Sequence, residues 1–401
     1  MDPTIFLFDL DGVLVKPGGY RAAVRATINY FTGQMGLGDL APDDDTIAIF
    51  EAQGVTCEWD MVPLVLAIIL DAAVERSLPI TALDTFQSAC AWLNEHPLPS
   101  LEIDFAPRLR EFGRFAHPGE PPAETILAAC LKDALNSPFP RLSGSGVLQQ
   151  LLGATRRLET SRTTAVFETF TLGHEVYTRA TGMPVEVQSE PLLVLHDQAL
   201  LNPQTRDRLR WLSQHQGLRM SAYTARPSLP DQMPDEFLAM FTPEAEMALD
   251  VIGWPELLLV GSGQTGEASR RLGEHEERMT KPSPYHAVAA IAAAWMDSRP
   301  AALAWMRQVF CFYERGDLRP PLPLVNGAAP QALRLHIFED SPTGMRGGLA
   351  AVSLFEGLGL PVKLHLWGVS EHIEKAAALR ALGAEVFADV NQAVDAALST
   401  L

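Results

Sequence analysis

The stretch "TIFLFDLDG" at residues 4–12 stands almost alone: an apolar run with Ile and two Phe, ending in Asp9, Asp11 and Gly12, with the next strand-like text at "LLVL", residues 192–195. A short apolar run that ends in a turn residue reads as a buried parallel strand opening into a loop. One strand cannot bury its own two faces, so it must join strands that come much later. From "LLVL" onward strands and helices alternate, with a helix at "PQTRDRLRWLSQHQG" and strands in "LRMSAYTARPS", "ELLLVG", "LRLHIFED", "VKLHLWGV" and "AEVFAD". That alternation predicts an α/β fold with a doubly wound, Rossmann-like parallel sheet whose ligands sit at the C-terminal strand ends.

What separates the first strand from the others is then an insertion. Between Tyr20 and about Tyr177 the text is helical in period, as in "YRAAVRATINYF", "ALDTFQSACAWLNE" and "TAVFETFTLGHEVYTRA", with Pro- and Gly-rich joints at "HPGEPP" and "SPFPRLSGSG". The expected division is an α/β domain of residues 1–16 and 190–401, with a helical domain of 17–189 inserted through linkers near 16–19 and 180–190. A further apolar helical segment within 285–333 reads as an extension of the α/β core, with a docking surface or a dimer contact as the alternatives.

Composition narrows the partners. A formal net charge of -18 argues against nucleic acid, whose affinity rests on clustered Lys and Arg. Cys57, Cys90, Cys130 and Cys311 form no CxxC, which fits a reducing cytoplasm better than a disulfide framework. No basic, apolar and cleavable leader is present at "MDPTIFLFD", and "MVPLVLAIIL" at 61–70, interrupted by Pro63 and stopped by Asp71, is too short to span a bilayer. A cytoplasmic protein with no membrane partner is expected; oligomeric state is left open.

Residues i and i+2 of a strand face the same side, so Asp9 and Asp11 can present two carboxylates to one ligand; a polar strand end capped by a turn is the plainer alternative. Three other strand or loop ends carry complementary chemistry. Thr224 in "SAYTARP" offers a hydroxyl, with neighbouring backbone N–H groups such as that of Ala225, to phosphoryl oxygens. Lys281 in "MTKPSP" offers an ammonium on a short rigid offset. Glu339 and Asp340 in "LHIFEDSPTG" are hard oxygen donors for a cation.

With "FDLDGVLV", "YTARP", "TKPSP" and "FEDSPTG" in this order, the chain resembles the haloacid-dehalogenase-like phosphohydrolases with a helical cap inserted after the first motif. The resemblance implies that Asp9 is the nucleophile of an aspartyl-phosphate intermediate and Asp11 the general acid and base. It implies Mg²⁺ held by Asp9, the Asp11 carbonyl and Asp340, with Glu339 acting through water, and Thr224, Ala225 and Lys281 on the phosphoryl oxygens. The acid at position 11 points to phosphomonoester chemistry on a small phosphorylated metabolite, either hydrolysis or a phosphomutase reaction. A non-catalytic binding protein on the same fold is the rival of another class. Arg226, and in the insertion Arg21 and Trp59, are candidate substrate contacts, with a solvated helix-face arginine the alternative for Arg21.

Three patterns are set aside. Gly261, Gly263 and Gly266 match GxGxxG but run into "MTKPSP" instead of a second strand with an acidic end, so a glycine-rich loop is expected there. "APDDDTIAIFE" reads as a helix start capped by Asp44 or Asp45. The ten histidines lack zinc spacing, and no GxSxG elbow occurs.

Overall fold

The computed structural model describes residues 3–76, 79–98, 101–115, 121–134, 136–231, 241–324 and 330–401. The joint expected at 117–122 lies mostly outside these residues, as does 325–329 ahead of the strand at 333. The chain divides into two compact units, Met1–Pro17 with Asp197–Leu401, and Gly18–His196.

In the first unit the strands are β1 (Thr4–Asp9), β2 (Val15–Lys16), β3 (Gln198–Ala199), β4 (Arg219–Tyr223), β5 (Leu259–Val260), β6 (Leu333–Glu339), β7 (Val362–Val369) and β8 (Glu385–Phe387). Six of them form a parallel sheet in the order β5-β4-β1-β6-β7-β8. β1 is central because it is buried on both faces. Ile5 and Leu7 enter one core with helices Pro284–Met296 and Pro342–Gly357, while Phe6 and Phe8 enter the other with helices Pro203–Gln216, Glu244–Ile252 and Val390–Leu398. The chain lays strands to one side of β1 and then to the other, so strand order reverses there, where open α/β sheets place their ligands. β2 and β3 pair antiparallel just inside the two points at which the chain leaves this unit and returns.

The segment after Lys281 belongs to this core. Helix Pro284–Met296 is apolar nearly all round and packs on β1, β4 and β5, with helix Arg299–Phe310 against it. Two differences from the sequence reading concern elements. "LLVL" is the helix Leu192–His196, in which the Leu195 N–H donates to the Pro191 carbonyl at 3.1 Å and only Leu193 is buried. It packs on helices Gly19–Gln34 and Arg162–Leu172, which moves the second unit's end from 189 to His196. The glycines at 261–266 open helix Ser262–Leu272 instead of a loop, because Gly261 and Gly263 let its first turn meet Ser228 closely.

The second unit is helical. Helix Glu58–Arg76 runs through both Pro63 and Asp71, as the helical period of this stretch predicts, and is apolar on every side from Met61 to Leu70, as a central helix must be. Its two buried aspartates are matched: Asp60 accepts from the Thr155 hydroxyl at 2.7 Å and Arg156 at 2.8 Å, and Asp71 from Arg108 at 3.1 Å and the Arg141 backbone at 2.9 Å. The cap of helix Asp44–Ala52 is Asp43, one residue ahead of the expected pair, accepting from the Thr46 N–H at 2.8 Å. No described helix is long and apolar enough to cross a membrane, and all four cysteines are free.

On the Phe6 face of the sheet, His336 is wholly buried and its Nδ1 accepts from the Trp367 indole at 3.0 Å. Burial, with His365, Arg334 and Lys363 nearby, pushes His336 down to about 3. Between that value and about 6.5 the unfolded chain binds a proton that the folded one refuses, so this residue withdraws stability as pH falls. A His336→Phe variant is therefore expected to gain on the native protein by up to about 1.4 kcal/mol per pH unit below 6.5. Denaturant unfolding of both at pH 7.5 and 5.5 checks this; a pH-independent difference would contradict it.

Candidate active site at the end of the central strand

Parallel pairing sets the site. Asp9, the last residue of β1, faces Tyr223, the last of β4, and Glu339 ends β6 one residue beyond the partner of Phe8. Lys281 reaches this point from the turn before helix Pro284–Met296. Its ammonium lies 2.7 Å from Asp9 Oδ1 and 2.9 Å from Glu339 Oε1, and 3.5 Å from the centre of the Tyr223 ring. The Tyr223 hydroxyl donates to the same Glu339 oxygen at 2.5 Å, and the Leu10 N–H donates to Asp9 Oδ1 at 2.7 Å.

The Lys281 backbone is fixed from behind. Its N–H donates to His286 Nδ1 at 3.0 Å, while His286 Nε2 bonds the Val260 carbonyl at 2.8 Å, which sets the tautomer with the proton on Nε2. Burial holds His286 at about 3, so it stays neutral.

Oxygens of Asp9, Glu339 and Asp340 converge within 4.8 Å of one another. Asp340 is paired with Lys375 from helix Ile373–Ala381. Three carboxylates therefore share two ammonium groups, and the electrostatics follow. Burial, then Glu339, pushes the Asp9 carboxyl well above its usual range against the pull of Lys281. Burial would lower the Lys281 ammonium, but Asp9 and Glu339 outweigh it and hold it above its ordinary value. Asp340 is raised by burial, with Lys375 opposing. An all-oxygen donor set, buried at Asp9 and Glu339 and half-buried at Asp340, with this crowding of negative charge fits a hard divalent cation.

A second charge cluster lies on the loops that follow β1 and β4. Arg226 places Nε 3.0 Å from each Asp11 carboxylate oxygen and Nη2 2.5 Å from Oδ1, while its Nη1 lies 2.8 Å from Asp197 Oδ2. The Arg226 N–H also donates to Thr224 Oγ1 at 3.1 Å, and the Thr224 N–H donates to the Val260 carbonyl at 3.1 Å. Ala225 is exposed between these two buried residues.

The structure thus brings Asp9, Lys281, Glu339 and Asp340 into one cluster and Asp11, Thr224 and Arg226 into another, both on the loop ends of β1 and its neighbours. Arg21 and Trp59 belong to the helical unit. Arg21 is half-buried in the first turn of helix Gly19–Gln34. Trp59 was expected in a loop but sits in the first turn of helix Glu58–Arg76, beside Glu58 and Asp60, acidic residues that suit a helix N-terminus; its indole donates to the buried Glu168 at 2.6 Å. Sequence reasoning missed Tyr223, Asp197, His286 and Lys375. Only Tyr223 carried a signal, as the residue at the apolar strand's end immediately before Thr224.

No protein-family model matches the chain, and no curated protein matches it in sequence. Among solved structures it is similar to the crystal structure of a structural-genomics consortium target, with a TM-score of 0.64, 13% identity, and 100% of this chain and 99% of that one covered. At that identity the likeness shows the fold alone. It also aligns with a phosphatase from Thermococcus thioreducens at a TM-score of 0.40 and 16% identity, over 98% and 99% of the two chains, a likeness too loose to carry an argument.

Gly12 fixes how Asp340 fits. Its φ is +75°, a left-handed conformation, and a Cβ there would fall on the Asp340 carboxylate. Gly217, at φ +71°, has nothing near its absent Cβ. Gly217→Ala is expected to cost about 1 kcal/mol, the left-handed term alone, and Gly12→Ala clearly more. Equal losses in denaturant unfolding would show that Asp340 is not packed against that turn.

Proposed function

We propose that the chain is a haloacid-dehalogenase-like phosphomonoester hydrolase, Mg²⁺-dependent, acting in the cytoplasm on a small phosphorylated metabolite through an aspartyl-phosphate at Asp9. The observation that carries this reading is Asp9 at the end of the central strand, with the Lys281 ammonium 2.7 Å from its Oδ1 and Glu339 and Asp340 in the same cluster.

Asp9 Oδ1 is occupied by Lys281 and the Leu10 N–H, which leaves Oδ2 to attack phosphorus. As that bond forms, the bond from phosphorus to the ester oxygen breaks, and Asp11 gives its proton to the departing oxygen. Asp11 then takes a proton from water as the water attacks the phosphoryl group. The bond to Asp9 breaks, inorganic phosphate leaves, and both aspartates return to their starting states. The Thr224 hydroxyl accepts from the Arg226 N–H, so its own hydrogen can be donated to a phosphoryl oxygen, next to the exposed Ala225. Lys281 offers fixed positive charge to the same group.

Asp9, Asp340 and the Asp11 carbonyl would hold Mg²⁺, with Glu339 acting through water; the ion supplies charge neutralisation between carboxylate and phosphate dianion. Of the residues that would hold the ion, Asp340 is paired with Lys375 and Glu339 with Lys281.

Asp9→Asn is expected to lower phosphate release from p-nitrophenyl phosphate by on the order of 10³-fold or more, because the nucleophile is lost while the fold is kept. Chelation of Mg²⁺ should stop the native enzyme. Turnover near the native rate in either case would overturn the assignment, and isomerisation of a sugar phosphate without release of phosphate would make it a mutase.

A further inference from the structure

Arg226 was read from sequence as a candidate contact for substrate. Its surroundings give it another task. Two of its nitrogens hold Asp11, the third reaches Asp197, and its side chain is 2% exposed. The Asp197 side chain is fully buried, whereas the Asp11 side chain is 35% exposed and keeps an open edge.

We propose that Arg226, anchored by Asp197, is the positioning residue that holds Asp11 for proton transfer. The inference rests on the hydrolase reading above. Asp11 lies beyond the end of β1, just before the left-handed Gly12, and makes an isolated bridge to Val15. In such a turn a carboxylate at the solvent edge has several rotamers open to it, and a planar guanidinium gripping both of its oxygens selects one. A guanidinium grips well only if it is itself fixed, and Asp197 does that from the opposite edge. Asp197 is the first residue of the α/β unit after the chain returns to it. The Arg226 N–H on Thr224 Oγ1 adds that the same short turn orders a proposed phosphoryl contact and the proposed acid.

A residue that positions the acid acts on the substrates that need one. An alkyl ester leaves as a strongly basic alkoxide and depends on the proton, whereas p-nitrophenolate leaves readily without it. Loss of the grip should therefore lower kcat/KM, which reports steps up to departure of the leaving group, selectively for the alkyl ester. The second step also uses Asp11, to take the proton from water, so the aryl ester should leave phosphoenzyme behind.

The test compares native enzyme, Arg226→Lys and Asp197→Asn on glycerol 3-phosphate and p-nitrophenyl phosphate with Mg²⁺ present. Arg226→Lys keeps the charge but loses the two-oxygen grip; Asp197→Asn keeps an acceptor for Nη1 and serves if the first variant unfolds. For both variants kcat/KM on the alkyl ester should fall by about 10²-fold or more, against less than about tenfold on the aryl ester, with a pre-steady-state burst of p-nitrophenolate. Equal loss of kcat/KM on both esters without a burst, as a substrate contact or a merely structural residue would give, overturns the inference. A native enzyme that hydrolyses neither ester overturns the hydrolase reading and the inference with it. An active native enzyme with equal losses in the variants overturns the inference alone.

Discussion

The site depends on where one strand stops. β1 is hydrogen-bonded on both sides and buried on both faces, so its last residue is held by the whole sheet. Parallel pairing then brings Tyr223 beside Asp9 and Glu339 just beyond it. Carboxylates this close in a buried place repel one another and resist ionisation, unless cations are placed among them. Lys281 lies between Asp9 and Glu339, and Lys375 against Asp340. Burial first, and Glu339 next, keep the Asp9 carboxyl raised, and the Lys281 ammonium offsets only part of this.

A second cluster, of opposite design, stands on the loops after β1 and β4. There one guanidinium lies between two carboxylates, and the geometry is specified by the fork of the arginine rather than by strand register. On the proposed function the two clusters divide the work: the first holds the nucleophile with the positive charge that a phosphoryl group needs, and the second holds the acid and base. Both stand at the C-terminal ends of adjacent strands, joined there by residues from other elements. This is why residues as far apart in sequence as Asp11 and Arg226 meet, and why a reversal of strand order at β1 suits a ligand site.

Much of this was legible from residues alone. The strands at β1, β4, β6 and β7 announce themselves as apolar runs ending in polar turns, and a parallel sheet follows from their alternation with helices. The carboxylate and lysine members of the first cluster sit at such strand or loop ends, so sequence could bring them forward. "LLVL" misled because four apolar residues have no period; what decided it was Pro191 ahead of the run and the helical neighbours that cover Leu193. The glycines at 261–266 misled because small residues that admit close packing at a helix start look the same as those of a loop. Lys375, Asp197 and His286 were out of reach, since each enters only through tertiary packing, and nothing in their own neighbourhoods marks them.

The account's central claim is that Asp9 Oδ2 takes the phosphoryl group. Quenching the enzyme during turnover, reducing it with borohydride and mapping its peptides by mass spectrometry reads that step directly, because an aspartyl-phosphate is converted to homoserine. The account predicts homoserine at position 9, dependent on both the phosphate ester and Mg²⁺. Hydrolysis proceeding with Asp9 unmodified throughout, or homoserine appearing at Asp11 or Asp340 instead, would contradict it.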